Sequence, residues 1–240
     1  MSDFTEKNRQ VFEKMASTYK TDFGQALQTI YQEVQGRRHW ASDTWTDTEA
    51  GKGKEIRMLE YACGPGNVSL ALAPFVSEVI GLDVSDAMVS EYNNNAREAG
   101  MAKKMSGRKG DLLADTVSTE LSGPEFSDFD IVFVSMALHH FEKPDLAMER
   151  FGERLKRNGV CLIIDLVPDH EHDHEQLHEF AETRETIKTH GFMEDDMRKL
   201  YEGAGLGKGF DYQVIKEPLV FHKNGKKFSK TIFIARGQRL

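Results

Sequence analysis

The sequence predicts an α/β protein whose central sheet is mostly parallel. Two short apolar runs, over residues 56–60 and 78–83, each end in a carboxylate and are followed by residues with helical spacing. A third run, over residues 129–141, contains the most apolar stretch of the chain. Strands that alternate with helices in this way are typical of βαβ units, in which neighbouring strands run parallel.

A glycine-bearing turn, Cys63-Gly64-Pro65-Gly66, follows the first predicted strand. The two glycines lack a Cβ, so the backbone turns sharply and a ligand can lie against it. The next helix points its free N–H groups back at the turn, which favours a small polar ligand. A dinucleotide site would have a third glycine where this chain has Ser69, so that fingerprint is incomplete.

The residues around this turn carry a family resemblance. The motif reads Glu60-x-Ala62-Cys63-Gly64-x-Gly66, and it resembles the first motif of class I S-adenosylmethionine-dependent methyltransferases. Ala62 stands where many members have glycine. Acids at Asp83 and Asp111, and a fourth strand leading to His139-His140, follow in the family's order. Over residues 56–206 the chain is most similar to the small-molecule branch that includes the ubiquinone and menaquinone methyltransferases.

The resemblance implies a Rossmann-like, seven-stranded, mostly parallel sheet with a C-terminal antiparallel hairpin and helices on both faces. It implies S-adenosyl-L-methionine as cofactor and S-adenosyl-L-homocysteine as product. The cofactor-binding residues that it implies are Tyr19, Glu60, Cys63, Gly64, Gly66, Asp83, Val84, Met88, Asp111, Leu112, Ser135 and Met136. For Tyr19, packing of an amphipathic helix on the sheet is an equal alternative.

Two histidines are the candidates for catalysis. His139 and His140 follow the fourth strand, beside the expected position of the methyl group, and a neutral histidine could accept a proton from the acceptor. We expect at most one of them to act, with the other packing or capping the next turn. The preceding Ser135-Met-Ala-Leu138 lacks the Asn/Asp-Pro motif of DNA and protein-glutamine methyltransferases, so a small-molecule acceptor is expected, through an O, N, S or C atom.

The N-terminal part is predicted to be a helical cap and connector over residues 1–54, joined to a methyltransferase domain over residues 55–240. Helical spacing extends from residue 4 to about 34, and a polar connector with Trp40 and Trp45 follows. We interpret these tryptophans as anchors of the connector rather than as walls of a substrate pocket.

The remaining elements follow from periodicity and turn residues. In the first half we predict a helix over 87–99 with Ser85 as N-cap, a weak edge strand over 103–110, a loop containing a short helix over 114–128, and a central strand over 131–134. In the second half we predict a helix over 144–156, a strand over 160–167, a helix over 192–206, and strands over 210–220 and 228–235 joined at Asn224-Gly225.

The histidine-rich stretch over residues 170–190 has two interpretations. His174 and His178 have helical i, i+4 spacing, which can place two imidazoles on one face for a metal. The order of a known zinc motif is absent, so the sequence predicts no metal site. By resemblance, this segment forms part of a substrate lid.

The composition of the chain limits the kinds of partner that it can bind. The net charge of −8 argues against a nucleic-acid surface, and no run is apolar enough to span a bilayer. Cys63 and Cys161 lie in apolar strands, which predicts reduced core residues of a cytoplasmic or nuclear protein. The oligomeric state is left open.

Three other functions stay as alternatives. The first is a regulatory protein that binds the cofactor without turnover. The second is a nicotinamide-dependent oxidoreductase, which Ser69 and the terminal hairpin oppose. The third is a protein or RNA methyltransferase.

Overall fold

A seven-stranded sheet forms the centre of the computed structural model, which describes residues 1–168, 184–223 and 226–240. Its strands are, in chain order, β1 (Arg57–Tyr61), β2 (Glu78–Asp83), β3 (Met105–Lys109), β4 (Phe129–Ser135), β5 (Leu155–Leu166), β6 (Lys208–Val214) and β9 (Ile232–Gln238). Two further strands, β7 (Leu219–Lys223) and β8 (Lys226–Lys230), pair with each other in a separate antiparallel hairpin.

The strand order is β3-β2-β1-β4-β5-β9-β6. The strands from β3 to β5 are parallel to their neighbours, and β9 runs antiparallel to both β5 and β6. This arrangement confirms the predicted fold class, with β3 at an edge and β4 in the centre. Parallel strands have their carboxyl ends at one edge of the sheet, so the loops after β1, β2 and β4 meet there.

Seven helices of four residues or more accompany the sheet in the described part of the chain. They are α1 (Asp3–Met15), α2 (Tyr19–Gly36), α3 (Arg38–Ala41), α4 (Asn67–Leu72), α5 (Asp86–Glu98), α6 (Pro144–Arg154) and α7 (Glu194–Gly203). Ser85 is the N-cap of α5, as predicted, and its hydroxyl accepts a hydrogen bond from the Met88 N–H. None of the helices that the structure describes is long and apolar enough to cross a membrane.

Three predicted boundaries were wrong. Helix α6 ends at Arg154 and β5 begins at Leu155, not at residue 160. Residues 156–158 look like a loop in the sequence because they are polar. In the structure Asn158 has a positive φ of 64°, and the pairing of β5 with β4 shifts register there. The predicted strand over 210–220 is two strands, β6 and β7, separated by a turn before Pro218, and that over 228–235 is the end of β8 and the start of β9. The predicted turn at residues 224–225 lies outside the described residues.

Side chains from both faces of the sheet are fully buried. Successive β1 residues Met58 and Leu59 belong to opposite core clusters, as expected for a strand covered on both sides. Trp45 is fully buried, and its Nε1–H donates to the carbonyls of Arg38 and Ser42. Trp40 donates to Asp211 in β6. Both tryptophans therefore anchor the connector, as the sequence predicted, and both cysteines are buried and unbridged.

The ring of Tyr92 on α5 occupies a slot left by three glycines. A Cβ at Gly66, Gly81 or Gly107 would lie less than 3 Å from this ring. The closest approach is at Gly81 in β2, where a Cβ would be 2.5 Å from Tyr92 Cε2 and 2.9 Å from Cys63 Sγ. These glycines let α5 pack close to the strand tips that form the site described below.

We expect Gly81→Ala to lower the free energy of unfolding by about 1–3 kcal/mol, because the added methyl overpacks a filled interior. The matched control is Gly24→Ala in α2, where nothing lies within 4 Å of the new Cβ. That change should be neutral or stabilise by up to about 1 kcal/mol, since alanine favours a helix interior. Urea denaturation of both variants measures the difference, and equal values for the two would contradict the packing argument.

Candidate active site

A cavity lies at the carboxyl ends of β1, β2 and β4, and we call it the donor cavity. The sheet side of its wall consists of Tyr61, Ala62, Gly64, Asp83, Val84, Met88, Leu113, Asp115, Ser135, Met136, Ala137, His140, Phe141, Glu142 and Lys143. Helix α1 and its N-terminus cover the other side with Ser2, Thr5, Asn8 and Phe12, joined by Tyr19 of α2.

The turn after β1 has the strained backbone that a close ligand approach requires. Ala62, Gly64 and Gly66 all have positive φ, at 53°, 48° and 84°. The value at Ala62 explains why a glycine suits this position, since alanine is disfavoured there. Ala62 and Gly64 line the donor cavity, whereas Gly66 faces the ring of Tyr92.

Asp83 is the buried carboxylate at the tip of β2. One of its oxygens accepts the Gly64 N–H at 2.9 Å, and the other accepts the Ser85 N–H at 2.9 Å. Burial raises the pKa of this carboxyl, and the hydrogen bonds from the backbone oppose that shift. Each oxygen has a second lone pair, so the carboxylate can still accept hydrogen bonds from a ligand in the donor cavity.

Glu60 faces away from the donor cavity and toward α4. Its carboxylate accepts the Ser69 N–H at 2.9 Å and the Ser69 hydroxyl, which in turn accepts the Tyr92 hydroxyl at 2.8 Å. Burial raises the pKa of Glu60 to about 7. Glu60 therefore joins the first strand to the helix after the turn and holds the turn in shape.

Asp111 follows β3 and has one buried oxygen, Oδ2, without a hydrogen-bond partner in the described structure. Its other oxygen accepts the Leu113 N–H and the Tyr61 hydroxyl. Both of these partners line the donor cavity. Asn8 of α1 likewise has a buried Oδ1 without a partner in the described residues, and it lines the donor cavity directly. Two orphaned acceptors beside one cavity suit a ligand that brings N–H donors.

Helix α1 is tied to the opposite wall by Glu13. The Ser85 hydroxyl donates to Glu13 at 2.6 Å, and the Ala87 N–H at the start of α5 also donates to this carboxylate. Tyr19 lies where α2 begins, and burial together with the nearby Asp83 raises its pKa to about 12. The two N-terminal helices thus form a wall of the site.

A second, mostly apolar space lies beside the donor cavity, and we call it the acceptor chamber. It is lined by Phe12, Met15, Tyr19, Phe23, Ala26, Leu27, Ile30, Met136, His139, His140, Leu166, Arg184, Ile187, His190, Leu219, Phe221 and Lys230. Phe12, Tyr19, Met136 and His140 belong to both spaces. The two spaces therefore meet at the tip of β4.

The two candidate histidines have different partners at this junction. His140 donates from Nδ1 to the Thr186 carbonyl at 2.8 Å, and burial and the neighbouring His139 hold its pKa well below the usual range. His139 instead hydrogen-bonds through Nδ1 to the buried carboxylate of Asp165 at 2.6 Å. The ring centroids of the two histidines are 4.0 Å apart.

The structure brings together most of the residues that the sequence singled out. Tyr19, Gly64, Asp83, Val84, Met88, Ser135 and Met136 line the donor cavity, while Glu60, Cys63, Gly66, Asp111 and Leu112 lie behind its wall. Asn8, Phe12, Leu113 and Asp165 were missed. His170, His174 and His178 lie outside the described residues. Among the residues that are described, no cluster of three metal-ligating side chains occurs.

This fold and site define a class. A glycine turn after β1, an acid at the tip of β2 and a reversed last strand are the features of class I S-adenosylmethionine-dependent methyltransferases. The chain belongs to the methyltransferase-domain family, whose model matches residues 52–217. Its cofactor is S-adenosylmethionine. The donor cavity suits this group, because it combines a buried carboxylate with orphaned acceptors.

Comparisons with known proteins agree. The chain is 28% identical over 196 residues, 79% of its length and 69% of the relative's, to the uncharacterized methyltransferase C1347.09 of Schizosaccharomyces pombe. It is 26% identical over 113 residues, 47% of its length and 41% of the relative's, to the ubiquinone biosynthesis O-methyltransferase of Azorhizobium caulinodans. The magnesium protoporphyrin IX methyltransferase of Synechocystis with bound SAM shares the fold, with a TM-score of 0.61 at 16% identity, over 100% of this chain and 99% of the other.

Proposed function

We propose that this enzyme methylates a small, largely apolar molecule held in the acceptor chamber. The observation that carries the proposal is the junction of the two spaces at Phe12, Tyr19, Met136 and His140. A donor in the first space and an acceptor in the second would meet there. Chamber walls made mainly of aromatic and aliphatic side chains suit an apolar body, as in most small-molecule sites.

The residues of the donor cavity have distinct roles in this proposal. Asp83 accepts the ribose hydroxyls, and Val84 and Met88 flank the adenine. Gly64 lets the amino-acid end of the cofactor approach the backbone, and Asp111 holds Tyr61 and Leu113, which line the cavity, at the adenine edge. Glu60, Cys63 and Gly66 shape the turn from behind, and Ser135 and Met136 lie at the tip of β4.

Bound S-adenosylmethionine supplies a methyl group on a positively charged sulfur, which needs no further activation. The protein then has to orient the acceptor and keep water out. Orientation of two reactants is worth roughly 7–11 kcal/mol of the barrier. Helices α1 and α2 and residues 184–190 serve both needs: the Lys188 N–H donates to the His139 carbonyl, which holds that segment against the histidine pair.

Two features support a small molecule over a nucleic acid or a protein as acceptor. Side chains of α1, α2 and residues 184–190 line the spaces at the junction, and concave walls of this kind are typical of small-molecule sites. The net charge of −8 also opposes the phosphate backbone. The relative that acts in ubiquinone biosynthesis is in keeping with this choice. We propose a cytoplasmic or nuclear location, and the boundary after residue 54 stays a prediction.

Filling the acceptor chamber should lower methylation without changing cofactor binding. Leu27 of α2 lines the chamber and is absent from the donor cavity, so Leu27→Trp should lower methylation of any accepted substrate at least 10-fold. Affinity for S-adenosylhomocysteine should stay within about twofold, since no donor contact changes. The assay measures S-adenosylhomocysteine release over a panel of phenols, catechols, carboxylates, amines and thiols, with calorimetry for affinity.

The matched control is Gln28→Trp, one residue further along α2 and exposed to solvent. It should leave both activity and affinity unchanged. If Leu27→Trp keeps full activity while Gln28→Trp loses it, the acceptor approaches from another side and the proposal is wrong. Absence of turnover across the whole panel, with tight S-adenosylhomocysteine binding, would favour a regulatory role instead.

A further inference from the structure

Asp165 is a buried acid that does not line the donor cavity. It lies near the carboxyl end of β5 and is fully buried. Its Oδ1 accepts from His139 Nδ1 at 2.6 Å and from the Leu166 N–H at 2.7 Å, and its Oδ2 accepts the His139 N–H at 3.1 Å. A buried carboxylate is costly unless it is hydrogen-bonded or paired, and the side chain that lies against Asp165 is His139.

This contact fixes the tautomer of His139. A carboxylate oxygen only accepts, so the proton of the neutral ring lies on Nδ1 and the lone pair lies on Nε2. The His139 ring lines the acceptor chamber. Because Asp165 accepts from both the ring and the backbone of residue 139, it also fixes the ring's orientation.

His140 has a different partner. Its Nδ1 donates to the neutral Thr186 carbonyl, and its ring contacts Phe12 and His139. Among the residues that the structure describes, no carboxylate is hydrogen-bonded to this ring. A positive charge on His139 would lie 2.6 Å from Asp165. The geometry therefore distinguishes two neighbouring histidines by their Nδ1 partners, a carboxylate for His139 and a carbonyl for His140.

We propose that His139 is the general base for a hydroxyl acceptor, such as a phenol or an enol, and that Asp165 is its positioning residue. This inference rests on the proposed function. The acceptor's O–H proton passes to His139 Nε2 while the oxygen's electron pair forms the new bond to the methyl carbon. The carbon–sulfur bond breaks, its electron pair stays on sulfur, and S-adenosylhomocysteine leaves. A neutral hydroxyl needs such a base, whereas an acceptor that is already ionised does not.

The kinetic test is Asp165→Asn with phenols of graded acidity. The amide can donate to Nδ1 and so place the ring proton on Nε2, where it blocks proton uptake. We expect kcat for weakly acidic phenols to fall about 10²–10⁴-fold, the usual contribution of a general base. The loss should shrink toward nitrophenols, which are ionised at the assay pH, and S-adenosylhomocysteine affinity should stay within about threefold because Asp165 is outside the donor cavity.

Asp130→Asn is the matched control. Asp130 lies at the start of β4, at the amino-terminal ends of the parallel strands and away from the site, where it accepts from Lys156 and the Arg57 N–H. It should leave the dependence on phenol acidity unchanged. A uniform loss of kcat across all phenols in Asp165→Asn would mean that Asp165 is merely structural. Turnover only of thiols or amines, unaffected by Asp165→Asn, would also overturn the proposal.

A second measurement needs no substrate and no change at Asp165. Nitrogen-15 NMR of histidine-labelled wild-type enzyme reports the protonation of each ring nitrogen, with His139→Gln and His140→Gln assigning the signals. We expect the His139 proton on Nδ1. A proton on Nε2 alone would overturn the inference even if methylation is observed. Methylation of thiols or amines but of no hydroxyl compound would overturn the general-base role even with the expected tautomer, and would leave the proposed function standing.

Discussion

Replacing Asp83 with alanine is expected to weaken S-adenosylhomocysteine binding at least 100-fold. In the proposed site its carboxylate accepts both ribose hydroxyls, and hydrogen bonds to a charged group are worth roughly 1.5–3 kcal/mol each. Losing two of them amounts to at least about 3 kcal/mol, which is more than a factor of 100 in affinity. The alanine also removes the acceptor of the Gly64 N–H, so the glycine turn loses a restraint.

Calorimetry on wild type, Asp83→Ala and Asp86→Ala measures this effect. Asp86 lies three residues further on, is exposed at the start of α5, and pairs with Lys109 outside the donor cavity. Asp86→Ala should bind S-adenosylhomocysteine as wild type does. Near-normal affinity in Asp83→Ala would show that the tip of β2 does not hold the ribose, and the assignment of the donor cavity would then be wrong.

Asp83→Asn separates charge from shape. Its amide oxygen can keep one of the two backbone hydrogen bonds, while the negative charge and one acceptor oxygen are lost. We expect an affinity between those of wild type and Asp83→Ala. If Asp83→Asn binds as weakly as Asp83→Ala, the negative charge is responsible for binding. If it binds as tightly as wild type, the shape of the turn is responsible.

The sheet could be predicted from the sequence because its strands are buried on both sides. Strands of this kind appear as short apolar runs, and β1, β2 and β4 all do so. The start of β5 was missed for the opposite reason. Residues 156–158 are polar and partly exposed, so nothing in the pattern distinguishes them from a loop. The break between β6 and β7 was also hidden, because both flanks alternate like one strand.

The sequence could predict those residues of the donor cavity that directly follow a strand, because the sheet topology decides where the end of each strand lies. Asp83 and Gly64 are of this kind. The sequence did not identify Asn8 and Phe12 as site residues. The amphipathic pattern of helix α1 shows which face of the helix is buried, but it does not show whether protein or a ligand covers that face. Asp165 was missed because its partner, His139, is 26 residues away in the chain. No local spacing connects the two, and only the pairing of β4 with β5 brings them together.

A buried glutamate at the first strand tip should make the stability of the cofactor-free enzyme fall between about pH 4.5 and pH 7. Burial raises the pKa of Glu60 from 4.5 to about 7, so within this window the folded protein holds a proton that the unfolded chain has released. Stability therefore decreases with rising pH and levels off above the folded-state pKa. A shift of this size corresponds to about 3 kcal/mol, at 1.36 kcal/mol per pKa unit.

Glu60→Gln removes the titrating group and keeps its shape, so it should isolate this contribution. The amide oxygen can accept the Ser69 N–H, as the carboxylate does. We expect wild type and variant to differ by less than about 1 kcal/mol at pH 5 and the variant to be more stable by about 3 kcal/mol at pH 8. Urea denaturation at four pH values measures both, with the exposed Glu120→Gln as control.

The quantity to compare is the difference in unfolding free energy between wild type and Glu60→Gln at each pH, because other groups near Glu60 titrate in both proteins. Asp83, Cys63 and Tyr92 lie close enough to interact with its charge, and burial raises the pKa of each of them. A pH-independent difference would show that Glu60 is ionised throughout. A difference that grows with pH would mean that the acid of the first motif destabilises the folded protein at neutral pH. The benefit of Glu60 would then be the turn that this residue holds in place for the cofactor.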